Sequence, residues 1–254
     1  MAYRQKKWEF PNSVEYEYSY MGNYGAKGER REKRAKPTPE QVAKQNMTNR
    51  INYVRRLIKA NFSPGDYWIT LKYAAGTRKT VDEVRKDMSR FISNMRKAYK
   101  KAGEEFKYIF RVEIGSRGGI HIHIILNRRK NGQPTDVLVS RYWKGGHPHF
   151  ALLYEEGGYG QLASYLVKPA LAGQEEDCYL KCYHPSRNLK KPVPETKLYT
   201  KRTMRKLVDE GPVAQKGFYI DKDTVITGVN PYTGMSYLHY TEIRINPIRG
   251  SDSG

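Results

Sequence analysis

The sequence predicts an α+β fold in which an antiparallel sheet carries helices on one side. Between residues 66 and 168 the patterns follow the order strand, helix, strand, strand, helix, strand, helix. The two adjacent strands are joined by a short glycine-containing loop, which is typical of an antiparallel hairpin. With 254 residues, the chain is long enough for one sizeable core with an appendage, or for two small domains.

A helix is predicted from residue 38 to about residue 60. Thr38 suits the N-cap, Pro39 suits the first helical position, and Gln41 completes a capping box. Apolar side chains follow at helical spacing, namely Met47, Ile51, Val54 and Ile58. Residues 1–37 show no sustained period and end in a basic run, so we expect a flexible basic arm there.

The strongest helical pattern follows a strand, DYWITLKYA, that begins after the turn sequence SPGD. The helix TVDEVRKDMSRFISNMRKAYKKAG carries one apolar stripe, with lysines and arginines on the opposite side. The stripe comprises Val81, Val84, Met88, Phe91, Met95 and Tyr99. We interpret it as part of the core.

The remaining elements complete the order. FKYIFRVEI and GIHIHIILN form a hairpin around GSRGG, TDVLVSRYW is a short helix, HFALLY is a strand, and GQLASYLVK is a helix that ends before Pro169. The carboxyl third predicts a basic loop and helix, then two hairpin strands in GFYIDKDTVITGV and SYLHYTEIRI. We therefore divide the chain into an arm (1–37), a domain with an N-terminal helix (38–192) and an extension (193–254).

The charge balance indicates an anionic partner. Lys and Arg number 46 against 26 Asp and Glu, which gives a formal net charge of +20, and such an excess favours nucleic acid. No apolar run has membrane-spanning length, and the N-terminus lacks the apolar core of a signal peptide. Cys178 and Cys182 form no disulfide framework, so we expect a cytoplasmic protein.

The hairpin gathers polar side chains on one face. With its loop centred near Arg117, Glu113 falls opposite His121 and Arg111 falls opposite His123. The alternate residues of both strands are apolar and face the core. Two imidazoles and one carboxylate form a three-ligand set with open positions, as a catalytic divalent ion requires.

Other interpretations of these histidines stay open. A solvent-facing strand can carry His-x-His without binding anything, and the chain holds a second such pair, His147 and His149. Pro148 lies between that pair and no carboxylate is placed beside it, so we interpret it as structural or incidental. Cys178, Cys182 and His184 lack a fourth ligand, so a metal site there is disfavoured.

Tyr165 and Lys168 are three residues apart on a predicted helix and project from one face. A tyrosine nucleophile needs assistance because its ordinary pKa is about 10. A nearby ammonium and a metal-bound phosphate would favour attack by the phenolate.

In combination, these motifs resemble the HUH endonuclease superfamily, the rolling-circle replication initiators of plasmids, phages and small single-stranded DNA viruses. WITLKYA is similar to the first motif, EIGSRGGIHIHIIL to the metal hairpin, SYLVK to the tyrosine motif and SRNLKKP to a segment of bacterial and phage members. The resemblance covers roughly residues 64–192. Many phage-type relatives repeat the tyrosine four residues earlier, whereas this chain has Gln161 there, so it resembles the single-tyrosine class.

The resemblance implies a five-stranded antiparallel sheet with flanking helices, related to the RNA-recognition-motif fold. It implies Mg²⁺ or Mn²⁺ on Glu113, His121 and His123. Tyr165, assisted by Lys168, would nick single-stranded DNA through a 5′-phosphotyrosyl intermediate and leave a 3′-hydroxyl primer. The implied partners are single-stranded DNA or a DNA hairpin at an origin and the replication machinery of a bacterial host, including a helicase.

Basic side chains around this region are predicted to contact DNA phosphates. They are Lys72, Arg111, Arg117, Arg187, Lys190 and Lys191. Two alternatives to a replication initiator remain. One is a relaxase or single-tyrosine transposase with the same chemistry, and the other is a non-catalytic protein that binds single strands by stacking bases on aromatic side chains.

Overall fold

A computed structural model describes residues 3–21, 38–115, 118–154, 156–168, 178–181, 183–230 and 234–247. The chain divides into two compact units. The central unit is Gln45–Lys191, and the terminal unit combines Met1–Lys44 with Pro192–Ile248. Within the described ranges, no helix is both long enough and apolar enough to cross a membrane.

The described elements are, in chain order, β1 (Tyr3–Glu9), β2 (Ser13–Tyr20), α1 (Pro39–Asn61), β3 (Tyr67–Lys72), α2 (Val81–Lys101), β4 (Tyr108–Ile114), β5 (Ile120–Leu126), α3 (Thr135–Tyr142), β6 (His149–Leu152), a 3-10 turn (Glu156–Tyr159), α4 (Gly160–Val167), α5 (Cys178–Lys181), β7 (His184–Pro185), β8 (Glu195–Tyr199), α6 (Lys201–Glu210), β9 (Phe218–Asn230) and β10 (Met235–Arg244). The elements predicted between residues 66 and 168 are all present.

The central unit contains a five-stranded sheet in the order β6-β3-β5-β4-β7, and its strand pairs are antiparallel. This confirms the predicted α+β class with a five-stranded antiparallel sheet and flanking helices. The predicted cap of α1 is also present, because Gln41 N donates to Thr38 Oγ1 and Thr38 N donates to Gln41 Oε1.

Helix α2 covers one face of this sheet. Its N-terminus is fixed by a capping box in which the Thr80 and Glu83 side chains accept from each other's backbone N–H groups. The predicted apolar stripe is buried, although Val81 at its start is only partly covered. The stripe packs on β-strand residues that include Ile69, Leu71 and Ile122, each fully buried.

Helices lie on both faces of the sheet, which corrects the expectation of one covered side. Three consecutive residues of β5, Ile124, Ile125 and Leu126, have no exposed surface. Since successive strand residues point to opposite faces, both faces must be covered at that end. The second face meets α1 and α4, where Ile109 and Ile125 pack with apolar residues such as Leu166.

The terminal unit is a second antiparallel sheet, in the order β8-β1-β2-β10-β9, with α6 beside it. Its core is rich in tyrosine and comprises Tyr3, Val14, Tyr16, Tyr18, Met204, Leu238 and Tyr240. The predicted carboxyl-terminal helix and hairpin strands are therefore present. They pair with strands from the beginning of the chain.

Residues 3–20 form strands β1 and β2, where the sequence predicted part of a flexible arm. The alternation in VEYEYSY is a strand signal, because Val14, Tyr16 and Tyr18 share one buried face. The partners of this hairpin, β8 and β10, lie about 180 to 220 residues away in the chain, so no local pattern pointed to them. Residues 22–37 lie outside the described residues.

Candidate active site

The hairpin of β4 and β5 has the predicted register. Glu113 pairs with His121, and Arg111 pairs with His123. Directly paired residues of an antiparallel ladder point to the same face, so these four side chains share the face of the sheet opposite α2. The turn between the strands uses Gly118 at φ +73°, a conformation that residues with a side chain rarely adopt.

Tyr165 reaches this face from α4. Its hydroxyl donates to Glu113 Oε2 and lies 2.8 Å from His123 Nε2. Its ring meets the His123 ring edge to face, with the centroids 4.9 Å apart. The structure therefore brings three of the sequence-predicted site residues into direct contact.

Arg111 connects the hairpin to α4. Its side chain is buried, and Nη1 donates to the backbone carbonyl of Leu166 at 2.8 Å. Leu166 is itself buried, next to the nucleophile candidate Tyr165. A guanidinium held in this way positions the helix, which corrects the DNA contact predicted for Arg111.

His123 is enclosed by groups that fix its ring. Thr70 Oγ1 lies 3.2 Å from Nδ1, and the Trp68 ring stacks on the imidazole at 5.4 Å. Burial lowers the pKa of His123 to about 4, against the opposing effect of the Glu113 charge. The imidazole is therefore neutral near pH 7, and its Nε2 faces the Tyr165 hydroxyl.

Sequence reasoning missed Trp68 and Thr70 as site residues. Both lie on β3, whose other residues Ile69 and Leu71 are buried against α2. The alternation in WITLK places Trp68, Thr70 and Lys72 on one face. Since β3 pairs with β5, that alternation was the available signal.

Lys168 follows the last turn of α4. Its ammonium lies 4.0 Å from Glu113 Oε1, and its side chain is about half exposed. Burial raises the pKa of Tyr165, and the hydrogen bond to Glu113 and the charge of that carboxylate raise it further. The phenol is thus protonated, and Lys168 faces the carboxylate that accepts its hydrogen bond.

The donor set can be compared with the needs of a divalent ion. Glu113 Oε2 and His123 Nε2 are 3.6 Å apart, and two ligands that each lie about 2.1 Å from one ion are separated by about 3 to 4.2 Å. His121 is a third donor on the same face, with its ring 6.4 Å from that of His123. As the described side chains are arranged, no group of three His, Cys, Asp or Glu residues forms a metal site. Two donors therefore fit an ion directly, and the third is a neighbour on the same strand.

The imidazole of His121 lies beside glycines of the hairpin turn. A Cβ added at Gly115 or Gly119 would stand 4.0 or 3.9 Å from this ring. The ring therefore has neighbouring backbone but few neighbouring side chains on that side among the described residues, which leaves room for a ligand.

The other predicted DNA contacts are distributed over the central unit. Lys72 is exposed on the face that carries Tyr165. Lys190 and Lys191 are exposed near the end of α1, where Lys190 N donates to Asn61 Oδ1 at 2.7 Å. Arg187 lines a cavity beside α2, on the opposite face of the sheet. Arg117 lies outside the described residues.

The remaining histidines and cysteines have separate environments. His149 is exposed on β6 and pairs with Thr70. His184 donates from Nε2 to the Tyr179 carbonyl at 2.9 Å. Cys182 and the side chain of Cys178 lie outside the described part of the chain.

Two cavities adjoin Tyr165. One, of about 820 Å³, is bordered by Tyr165, Lys168 and Arg55. The other, of about 500 Å³, is bordered by Trp68 and by Tyr154, which is 66% exposed. Gln161 borders both. A polymer that crosses α4 would therefore meet cations on one side of the tyrosine and aromatic rings on the other.

A comparison with protein families matches part of the chain. Residues 66–170 match the family model described as a replication-associated protein of the ORF2 type. No curated protein and no solved structure matches the chain. The matched range runs from β3 to the end of α4 and includes Thr70, Glu113, His121, His123 and Tyr165. The match supports a replication initiator of the Rep type.

Proposed function

We propose that the protein starts rolling-circle DNA replication by nicking single-stranded DNA at an origin, with Tyr165 as the nucleophile. The observation that carries this proposal is the contact of the Tyr165 hydroxyl with both Glu113 and His123. A structural tyrosine on an amphipathic helix would not require a carboxylate and a neutral imidazole at its hydroxyl, whereas a nucleophile requires groups that orient it and accept its proton.

The reaction is a transesterification. Tyr165 Oη forms a bond with phosphorus, the bond from phosphorus to the 3′-oxygen breaks, and the phenolic proton is passed on so that the 3′-oxygen leaves as a hydroxyl. The proton has two acceptors within reach, Glu113 Oε2 and His123 Nε2. The 5′-phosphotyrosyl linkage conserves the ester, so attack by a 3′-hydroxyl rejoins the strand.

Glu113, His121 and His123 would hold Mg²⁺ or Mn²⁺. A hard carboxylate oxygen and two imidazole nitrogens suit such ions. When bound, the ion would stabilise the negative charge that develops on the phosphoryl oxygens. Lys168 lies beside the same carboxylate and would add a second positive charge at the scissile phosphate.

The substrate strand would cross α4. Lys72 and Lys168 supply charge for phosphates, and Trp68 and Tyr154 supply rings for bases. Gln161 stands one helical turn before Tyr165 and is exposed, so the nucleophile acts as a single tyrosine. An origin hairpin and a host helicase are the partners that this function requires.

The proposal is tested by incubating the protein with a random pool of single-stranded DNA and Mn²⁺, and by sequencing the covalently trapped 5′ ends. We expect a covalent adduct with one preferred sequence. Tyr165→Phe should form none, while Tyr219→Phe, which removes an exposed phenol on β9, should react as the unaltered protein does. An adduct in Tyr165→Phe would exclude Tyr165 as the nucleophile.

The metal requirement is tested separately. We expect EDTA to abolish adduct formation and added Mn²⁺ or Mg²⁺ to restore it. Cleavage that persists in EDTA would contradict the role of Glu113, His121 and His123 as ligands, while leaving the assignment of Tyr165 intact.

A further inference from the structure

A cavity of about 840 Å³ opens between α2 and the β4–β7 edge of the central sheet. Strand β7 has only two residues, so it covers only part of the edge of β4. The cavity lies on the face that α2 covers, whereas Tyr165 lies on the other face. We call it the α2 groove, and the active-site proposal does not use it.

Basic side chains line both walls of the α2 groove. Arg85, Arg96 and Lys100 lie on α2, and Arg187 lies on the segment after β7. All four are exposed. From residue 85 to residue 100 the helix rises about 22 Å, which matches the length of several consecutive nucleotides of a single strand.

Two carboxylates also border the groove, and one of them is already engaged. Glu104 accepts hydrogen bonds from the backbone N–H groups of Lys130 and Asn131. Glu105 is exposed and has Lys107 Nζ at 3.7 Å from its Oε2. The basic side chains therefore dominate the charge of the groove.

Two guanidinium groups from opposite walls converge on one hydroxyl. The charges of Arg96 and Arg187 both lower the pKa of Tyr108, against the larger effect of burial, which raises it. Both cations must therefore stand close to the Tyr108 hydroxyl. Two planar guanidinium groups and a hydroxyl are the donors that bind phosphate oxygens.

Aromatic rings border the same groove. The Tyr179 and His184 rings are 4.5 Å apart, and the Arg85 guanidinium lies 4.9 Å from the centroid of Tyr179. His184 also stacks on Phe110 at 4.6 Å. Partly exposed rings beside cations are the surface on which unpaired bases stack. A small inorganic anion would need only the cations.

We propose that the α2 groove is a second binding site for single-stranded DNA, in which Arg96, Arg187 and the Tyr108 hydroxyl contact the phosphodiester backbone. The inference rests on the proposed function for the identity of the polymer. A strand held at Tyr165 reaches the groove by passing around the short β7 edge, so only a long strand can occupy both sites.

The test measures fluorescence anisotropy with labelled oligothymidylates of about 30 and about 8 nucleotides, since single-strand sites span about 4 to 16 nucleotides. The groove variant is Arg96→Glu with Lys100→Glu. The matched control is Arg90→Glu with Lys97→Glu, which makes the same charge change on α2 outside the groove. All four residues are exposed, so both variants should keep the fold, and circular dichroism checks this.

We expect the groove variant to bind the long probe about tenfold more weakly than the control variant does. Its slope of log K against log salt should be smaller by about 1.4, since each phosphate contact contributes about 0.7 on a single strand. Equal losses in the two variants would show an effect of net charge alone and would overturn the groove. Equal affinity of the unaltered protein for the two probes would also overturn it.

Adduct formation at Tyr165 separates this inference from the proposed function. If an origin strand forms the adduct but the groove and control variants bind alike, only the groove is wrong. If the groove variant alone loses affinity and no adduct forms with any strand, the second site stands as a nucleic-acid site and the nicking function is wrong.

Discussion

At the scale of single residues, the site depends on how His123 is held. An imidazole can rotate about its side-chain bonds, and a hydrogen bond at one nitrogen fixes the direction of the other. Thr70 supplies that bond at Nδ1, and Trp68 restricts the ring by stacking. Thr70 is therefore a positioning residue, which acts on the reaction through His123.

Thr70→Val should slow adduct formation about 10- to 100-fold, as other losses of a partner of a metal-binding histidine do. Valine keeps the shape and removes the hydroxyl, so binding of single-stranded DNA should be unchanged. Thr70→Ser keeps the hydroxyl and should react nearly as fast as the unaltered protein. A Thr70→Val protein with a normal rate would show that the hydrogen bond has no positioning role.

Much of the candidate site follows from the sequence because strand geometry is regular. The parity of residues in EIGSRGGIHIHI gives the pairing of Glu113 with His121, and the structure has that pairing. The role of Arg111 could not be derived in the same way. Its partner, the Leu166 carbonyl, is a backbone atom 55 residues away, and no sequence pattern specifies that helix α4 crosses above it.

At the scale of elements, α4 is a short helix of eight residues, so its position depends on contacts with the sheet. Buried Ala163, Leu166 and Val167 give it an apolar contact, and the Arg111 guanidinium binds its last turn. A short helix has little stability of its own. The placement of the nucleophile is therefore a property of the sheet beneath it.

Arg111→Met should lower the free energy of unfolding by about 1.5 to 3 kcal/mol, because it removes a charged hydrogen bond and leaves a buried carbonyl without that donor. Urea unfolding of the protein measures this. Arg78→Met changes an exposed arginine and should stay within about 0.5 kcal/mol. Equal stability of the two variants would contradict the positioning role of Arg111.

His184 on β7 should make the stability of the sheet edge depend on pH. Burial lowers the pKa of His184, and the nearby Arg85 charge acts in the same direction. Below the ordinary histidine pKa of about 6.5, the unfolded chain takes up a proton that the native imidazole does not. The stabilisation is thus complete above that value and is lost as the pH falls towards the native pKa.

The measurement is urea unfolding of the unaltered protein and of His184→Gln between pH 5 and pH 8. We expect the unaltered protein to lose more stability on acidification than the variant, so the difference between them should shrink below about pH 6.5. A constant difference across this range would contradict the assignment.

The elements also show where sequence patterns fail. The stripe of α2 is strongly periodic, and its burial was predictable from Met88, Met95 and Tyr99 alone. Strand β1, with the sequence YRQKKWE, is polar on average, so its strand character depends on pairing with β2 and β8. Long-range pairing of this kind leaves little trace in local composition.

At the scale of the whole molecule, each buried apolar cluster belongs to one unit. The two clusters around the β3–β7 sheet use only residues of the central unit, and the tyrosine-rich cluster uses only residues of the terminal unit. A unit that contains its whole core can fold by itself.

A fragment of residues 38–191 should therefore fold, with a cooperative thermal transition seen by circular dichroism. A fragment of residues 62–191 lacks α1, and with it the buried Val54, Leu57 and Ile58. It should melt at a lower temperature or without cooperativity. A disordered 38–191 fragment would show that the central unit depends on the terminal one.

The pairing of β1 and β2 with β8 and β10 has a consequence for synthesis on the ribosome. The first hairpin emerges early, yet the strands that cover both of its edges are translated only after the whole central unit. Until then, its ladder groups remain available to other nascent chains, as unpaired strand edges are. A chain that stops near residue 191 would keep a complete central unit and an open tyrosine-rich ribbon. Premature termination should thus produce aggregation before it removes the candidate nucleophile.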